Sequence, residues 1–421
     1  MRLLWNLAAK NLFRNKLRSS VSILAIALSV ALVVFVKGLV MGFVNNMFAL
    51  HIQYQAGHIK IVDQDYNQKK RLLTLNHPVD GFGEEGLAKM KEELKSIKGV
   101  KRVIPRIKFG AAVSKEDEMV RMLGWGVNPT KEEKFTGIEE KIVEGRMIKE
   151  GQREVVMGSE LLKKIDTKVG DKVTFLYQTS FSSFKGSTFK VVGKIDSGLK
   201  LFDEKVFYLP LTQAQRILAM PNMATEVLLE TFNYRKVEEV LPRVRQLFAA
   251  QGAQKEYLVT PWDEGDSMIS MLKVGQKIYN IIYIFLVLLA GFVVVNTMVM
   301  IVKERTKEIG MMTALGLKNR DILYMFIMEG TVMGVIGSFA GVIIGGIVTK
   351  LIAITEIIDY SQAMAGIDAN ILMNPVIRPV VSIDTLVYAF ILGVIVTAIT
   401  CIIPAYKASK LDPAEALRTN G

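Results

Sequence analysis

Four long apolar runs constrain this chain more than any other feature. The first, Val21–Val36 (VSILAIALSVALVVFV), is uncharged, and only Lys37 separates it from a continuation, GLVMGFV. Further runs cover Ile278–Val302, Ile322–Ile352 and Leu386–Ile403. Each approaches or exceeds the roughly 20 residues a helix needs to cross the hydrocarbon layer. A large soluble core does not call for four such runs, so membrane spans are the reading. The first run has no small-residue cleavage site, and its apolar character continues past Lys37. It reads as an uncleaved anchor rather than a signal peptide. Half of the residues are hydrophobic, yet 22% are charged, so a polar domain must accompany the spans.

Direction follows from lysine and arginine in the short flanks. Arg2, Lys10, Arg14, Lys16 and Arg18 precede the first span with no acid among them. Lys303, Arg305, Lys307, Lys318 and Arg320 lie between the second and third spans, and Lys407, Lys410 and Arg418 follow the fourth. The connection from Thr355 to Asp384 holds Arg378 against Glu356, Asp359, Asp368 and Asp384. Both termini and the 303–321 loop are therefore expected in the cytoplasm, with the long segment between the first two spans exported. Much of the +12 net charge is a topology signal, and nucleic-acid binding loses its main support.

The expected organisation is an interfacial helix over 1–20 and a first span over 21–44. An extracytoplasmic domain over 45–272 precedes a second span over 273–302 and a charged cytoplasmic segment over 303–321. A third span over 322–352, an outer loop over 353–384, a fourth span over 385–403 and a cytoplasmic tail over 404–421 complete it. The fold class is an α-helical membrane protein with four transmembrane helices and a large α+β domain outside. Before the first span, Leu4, Leu7, Ala8, Phe13 and Leu17 fall near one helical face, which suits a helix lying in the interface. In the third span Gly337, Gly341 and Gly345 recur every four residues and permit close approach of another helix, from this subunit or a second one.

Within the exported domain, strand and helix patterns alternate. GHIKIVD, VIPRIKFGAAVS, MVRMLGWGV, DKVTFLY, TFKVVGKI, KVFYLPL and TEVLLET read as strands. EVVMGSELLKKI reads as strand, turn and helix, and further helices are expected at Leu87–Ile97, Thr212–Met220 and Tyr234–Ala250. The middle, about 110–197, is mostly β and reads as an inserted subdomain. Catalytic constellations are not evident: Ser180 and Ser182 have no histidine nearby in sequence. Cys401 is the only cysteine, and His51, His58 and His77 show no ligand-like spacing, so no metal site is expected. GKIDSGLK places Leu199 where a phosphate loop needs lysine, so any ATPase must be another chain.

The charged segment KERTKEIGMMTALGLKNRD places Ile309, Met312 and Leu315 at three-residue intervals, giving a short helix one apolar edge. Gly316 is placed to end it through a left-handed cap, and Asn319 to cap the next helix. Three charges sit near or within spans. Lys37 and Lys277 lie at outer ends, where long side chains reach water or meet lipid head groups or lipoprotein. Glu329 lies about two turns into the third span and is expected to pair within the bundle or reach the interface.

ERTKEIGMMTALGLKNRDI resembles the signature of FtsX-like ABC permeases, and PAYKASKLDPAEALR resembles the same family's C-terminal motif. LGWGVNP, VEGRMI, VVMGSELLKKIDTKVGDKVTF and FKVVGKIDSG look like the LolC/LolE lipoprotein-releasing branch and the related MacB-type exporters. The likeness covers nearly the whole chain. It implies a Porter/Sabre-like exported domain and a coupling helix docked on an ATPase through Glu304, Arg305, Glu308, Ile309, Met312, Leu315 and Gly316. Implied partners are two ATPase subunits carrying ATP and Mg, a second permease subunit (identical or related), membrane lipids, a lipoprotein substrate and a periplasmic lipoprotein carrier. No cofactor is expected on this chain. An acyl chain would pass along Met41, Phe43, Val44, Met47 and Phe48, or these residues would pack the stalk helices together. The loop QTSFSSFKGS, with Phe181 and Phe184, sits where LolC carries a chaperone-binding hook, although it is shorter. Departures from the pattern include the missing fused nucleotide domain of MacB-type exporters and MGF, Met41–Phe43, in place of MNGF. The implied activity is lipoprotein extraction by mechanotransmission. The alternatives are export of a small amphiphile or peptide, and activation of a cell-wall hydrolase without transport.

Overall fold

The structure is a computed structural model and describes residues 16–66, 73–115, 118–355 and 376–411. Most of the expected interfacial helix, most of the outer loop and the end of the cytoplasmic tail lie outside these residues. The chain divides into two compact units: a helical unit built from the long apolar segments, and a sheet unit, Asn46–Ser270.

In the helical unit the apolar runs are parts of longer helices: Lys16–His51, Ser267–Glu304, Asn319–Thr355 and Ile383–Thr400, the last continued after Cys401 by Ile402–Ser409. Among the described residues, four helical stretches are long and apolar enough to cross a membrane. The first two helices have 36 and 38 residues. At 1.5 Å per residue each is about 55 Å long, well beyond the ~30 Å hydrocarbon layer, and both continue past Asn45 or begin before Met271. Lipid supplies no hydrophobic drive between helices, so small residues decide how closely they approach. A methyl group added at Gly341 would lie 2.5 Å from the Ala27 carbonyl oxygen, one at Gly345 2.8 Å from Ala31 Cα, and one at Gly337 2.8 Å from Ile26 Cβ. The glycine ladder is thus filled by the first helix of the same chain. Ile26, Val30, Met298, Phe326, Met333 and Val396 form part of the core around it.

The sheet unit holds one ten-stranded sheet: β1 Ile59–Asp63, β2 Val100–Lys115, β3 Glu118–Val127, β4 Ile142–Gly145, β5 Glu154–Gly158, β6 Lys172–Gln178, β7 Phe184–Ile195, β8 Val206–Pro210, β9 Glu226–Thr231 and β10 Tyr257–Pro261. Their order is β10-β1-β9-β2-β3-β8-β5-β7-β4, with β6 pairing β2 and β7. Pairing is antiparallel except at β3·β8 and β5·β7. The β-rich middle expected as an inserted subdomain does not form a separate sheet. β2 is 16 residues long, pairs β9 through its first half and β3 through its second, and so carries hydrogen bonding straight across residue 110. Helix Leu87–Ser96 buries Leu87, Met90 and Leu94, and helix Val237–Ala250 buries Val240, Leu241, Val244 and Phe248, at the 3.6-residue spacing that makes one apolar stripe. Beyond the expected elements there are β4, β10 and the helices Pro129–Thr136 and Lys200–Lys205.

Candidate functional site

The charged segment between the second and third spans folds as the helix Thr306–Ala314, set off from Ser267–Glu304 by a bend at Arg305 (φ −97°, ψ 12°). Its end is a Schellman motif: Leu317 N–H donates to the Met312 carbonyl at 3.1 Å and Gly316 N–H to that of Thr313 at 3.0 Å. Gly316 adopts φ +96°, the left-handed conformation this cap requires. The next helix starts at Asn319, but Asn319 is its first residue rather than its cap. Lys318 precedes it, accepting from Ile322 N–H through its carbonyl and donating its own N–H to Asp321 Oδ2 at 3.3 Å.

The apolar edge of this helix is divided. Ile309 is 1% exposed and belongs to the core of the helical unit, and Met312 packs against that core. Arg305 is also buried, its Nη1 3.6 Å from Glu329 Oε2 of the third span. Ile309 and Arg305 are therefore not contacts for another chain in this conformation. An apolar stripe beside a bundle turns toward the nearest apolar surface, which here is the chain's own. The outward side carries Leu315, 85% exposed, with Met311, Glu304 and Gly316 exposed and Glu308 half-exposed. Glu329 pairs within the bundle. Lys37 stands over the Tyr388 ring, its Nζ 3.4 Å from the centroid, while Lys277 is exposed.

The stretch Met41–Phe48 does not present a continuous open apolar surface. Val44 and Met47 are buried, and Met41, Phe43 and Phe48 are half-buried. Met41 Sδ accepts a hydrogen bond from Thr385 Oγ1 at 3.5 Å, and Phe48 packs edge-on against Trp262 with centroids 4.9 Å apart.

QTSFSSFKGS is the turn and first strand residues of a β6–β7 hairpin in which Gln178 pairs Phe184. Thr179 N–H donates to the Ser183 carbonyl at 2.9 Å, and Ser180 donates its N–H to the Leu218 carbonyl at 3.0 Å and its Oγ–H to the Ala219 carbonyl at 3.1 Å. The turn is thereby pinned, and the rings do not fold back: Phe181 is 78% and Phe184 80% exposed.

A cluster of buried charges in the sheet unit was not anticipated. Asn128 caps the helix Pro129–Thr136, accepting from Lys131 N–H at 3.0 Å, with Pro129 at its first position. That helix delivers Glu132 to Arg106 of β2, which donates through Nε at 3.0 Å and Nη2 at 2.6 Å. Lys108, two residues along the same strand, pairs Glu226 of β9 at 2.8 Å, and Lys60 of β1 reaches the other oxygen of Glu226 at 2.9 Å. Burial alone would raise the Glu226 pKa, but Lys108, Lys60 and Arg106 outweigh it and hold the carboxyl at about 2. Burial pushes the Lys108 ammonium down to about 8 despite its partner. The sequence signal is Arg106 and Lys108 at alternate positions of the otherwise apolar stretch 103–113 of β2, which places both on one face. His77 Nδ1 lies 3.5 Å from Asp63 Oδ1, and with Asp65 the three potential ligand atoms fall within 4.8 Å of one another, a grouping that chain spacing does not reveal.

Residues 280–413, which contain the bend, the short helix and the Arg305–Glu329 pair, match the FtsX-like permease C-terminal family. Residues 19–247, over half of the chain, match the MacB-like periplasmic core domain. The chain belongs to this family of ABC transporter permeases. The permease is 24% identical over 302 residues to the lipoprotein-releasing system transmembrane protein LolC of Xylella fastidiosa, covering 70% of this chain and 72% of that one. It is 27% identical over 358 residues to LolE of Haemophilus influenzae, covering 80% and 81%. Among solved structures it is similar to the extracellular domain of the noncanonic ABC-type transporter YknZ, with 16% identity, 48% of this chain and 98% of that one covered, and a TM-score of 0.35. Family membership implies an ATPase partner for the permease. Its four apolar helices and its periplasmic core domain make it a multi-pass inner-membrane protein with a periplasmic domain.

Proposed function

We propose that the permease is the membrane subunit of an ABC transporter that draws lipoproteins from the outer leaflet of the cytoplasmic membrane and passes them to a periplasmic carrier. The observation that carries this reading is the pinned hairpin with two exposed phenylalanines. It occurs in a chain similar to LolC and LolE along most of its length. Apolar rings on a loop tip stay costly until something covers them, and peripheral aromatics serve as binding anchors. The carrier docks there. Both termini and the 303–321 segment lie in the cytoplasm, as the lysine and arginine bias requires. Two ATPase subunits, which bind ATP and Mg, sit against the outward side of the short helix, with Leu315 as the apolar contact. Two permease subunits complete the assembly, and the two long helices carry the ATP-driven motion outward.

The Phe181→Ser/Phe184→Ser variant tests this. Its effect on folding should be small, within about 0.5 kcal/mol, because exposed side chains contribute little. Capture of the purified carrier should weaken at least tenfold, with assembly and basal ATP hydrolysis retained. Unchanged carrier capture would remove the hairpin from the mechanism.

A further inference from the structure

The outward end of the first long helix finishes in an unusual way. After His51 the chain makes a π-helical turn, Ile52–Ala56, closed by Gly57 at φ +60°, whose N–H donates to the Ile52 carbonyl at 2.8 Å. The last carbonyls of any helix lack intrahelical donors and carry the negative end of its dipole. Here two buried cations supply the donors. Arg106 Nη2 donates to the Gln53 carbonyl at 3.0 Å and Nη1 to the Tyr54 carbonyl at 3.3 Å, while Lys108 Nζ donates to the Tyr54 carbonyl at 3.1 Å. The grip is returned from the other side, since Gln53 Nε2 donates to the Thr136 carbonyl at 2.6 Å, on the helix that carries Glu132. His51 is hydrogen-bonded through Nε2 to the Trp262 carbonyl at 3.0 Å and lies 3.8 Å from Asp266. Asp266 accepts from Met268 N–H at 2.7 Å at the start of the second long helix. All of these groups belong to the sheet unit.

A buried ion pair is weak evidence for stability, because apolar residues of similar volume often do as well or better; in some proteins what it supplies is a defined geometry. The Arg106 fork has two opposite jobs that no apolar side chain performs, holding Glu132 and two backbone carbonyls at once. From this we infer that Arg106 and Glu132 are positioning residues that lock the π-turn onto β2. A displacement of the first helix then enters the sheet instead of being absorbed by unwinding of its last turn. This rests on the proposed ATP-driven motion and adds the joint through which the motion passes.

The test uses the full permease with its ATPase partner in nanodiscs, in a Cys401→Ala background, with spin labels read by pulsed dipolar spectroscopy. One label pair, Ala49→Cys with Phe232→Cys, spans the joint. A second, Lys303→Cys with Phe232→Cys, reports whether nucleotide-driven motion reaches the sheet. In the native sequence, trapping with ADP-vanadate should shift the second distance and leave the first unchanged. In Arg106→Met/Glu132→Leu, which replaces the pair by apolar volume, the first distance should shift or broaden on trapping. The second shift should fall by half or more, with ATP hydrolysis continuing. Arg106→Lys, which keeps the charge without the fork, should fall between the two. If the double variant holds both distances as the native sequence does, the locking role is overturned. If the native second distance does not respond to trapping, the proposed function fails first, and the joint with it.

Discussion

The two units of the permease solve the same packing problem with opposite chemistry. In the helical unit, contact is made by omission: Gly337, Gly341 and Gly345 lack the side chains that would hold the first helix away. In the sheet unit, the end of that same helix is held by addition, through Arg106, Lys108 and the carboxylates behind them. The difference reflects the solvent each must exclude. Water drives the sheet unit's apolar surface together, leaving room for a charged cluster whose cost is offset by pairing. Lipid does not drive helices together, so they depend on close van der Waals fit. A joint that must not slip is built from directional bonds, and a bundle that must pack in lipid is built from surface shape.

Substitutions can break each half of this contrast. The largest effect is expected for Gly341→Leu, since even a methyl group there meets the Ala27 carbonyl oxygen at 2.5 Å and Val30 Cβ at 2.8 Å. Overpacking of this kind should cost ~3 kcal/mol or more and separate the first and third helices, lowering the midpoint of thermal unfolding in detergent. Gly110→Ala in β2 is the matched control: among the described residues its added carbon meets only Leu73 Cδ1, at 3.8 Å, and stability should stay at or above that of the native chain.

Glu226→Gln comes next and sharpens the charged half. Because the folded carboxyl titrates at about 2 instead of the ordinary 4.5, its contribution is complete above pH 4.5 and is lost as pH falls toward 2. Removing it should cost roughly 3 kcal/mol at neutral pH and flatten the acid limb between those two values. Tryptophan fluorescence during denaturation is a suitable readout, since Trp125 lies 4.5 Å from Lys108 Nζ. An unchanged acid limb would show that the cluster does not couple to folding.

The smallest stability effect should come from Leu315→Ser, and there the contrast moves to the short helix between the second and third spans. Leu315 is exposed while Ile309 is buried. Leu315→Ser should change folding by less than about 0.5 kcal/mol yet weaken ATPase association at least tenfold. Ile309→Ala should instead open a cavity costing ~2 kcal/mol or more. Equal loss of ATPase binding in both variants, without loss of stability in Ile309→Ala, would mean that the helix turns its other face outward.

Much of this architecture is legible in the residues. The four apolar runs mark the spans, Gly316 marks the end of the short helix, and alternating patterns mark most strands. Other features depend on contacts between distant segments. The apolar edge Ile309, Met312 and Leu315 is plain in sequence, but periodicity does not say whether it faces the chain's own core or a partner. The structure buries Ile309 in the chain's own core, packs Met312 against it and leaves Leu315 exposed. β4 is four residues of mostly exposed side chains, so it lacks alternation altogether. Arg106 and Lys108 stand out in the apolar middle of β2, but their partners Glu132 and Glu226 lie 26 and 118 residues away and no local rule connects them. Asn128-Pro129 signals a helix start without indicating that the helix exists to bring a carboxylate inward.

The pairing of β1 with β10 also sets a schedule. Ile59 lies opposite Pro261, so the strand made first cannot complete its pairing until about 200 residues later (261 − 59 = 202) have been made. At typical synthesis rates of ~5–20 residues per second, that is a wait of roughly 10–40 seconds. During this time the first span can already be in the membrane while β1 is still an open edge, and β9, its other neighbour, is also a late arrival. Open strand edges pair with whatever is near. The newborn chain therefore passes through a long interval with the β1 edge unpaired, and shielding that edge is a demand on the cell's export and chaperone machinery before the finished permease does any work.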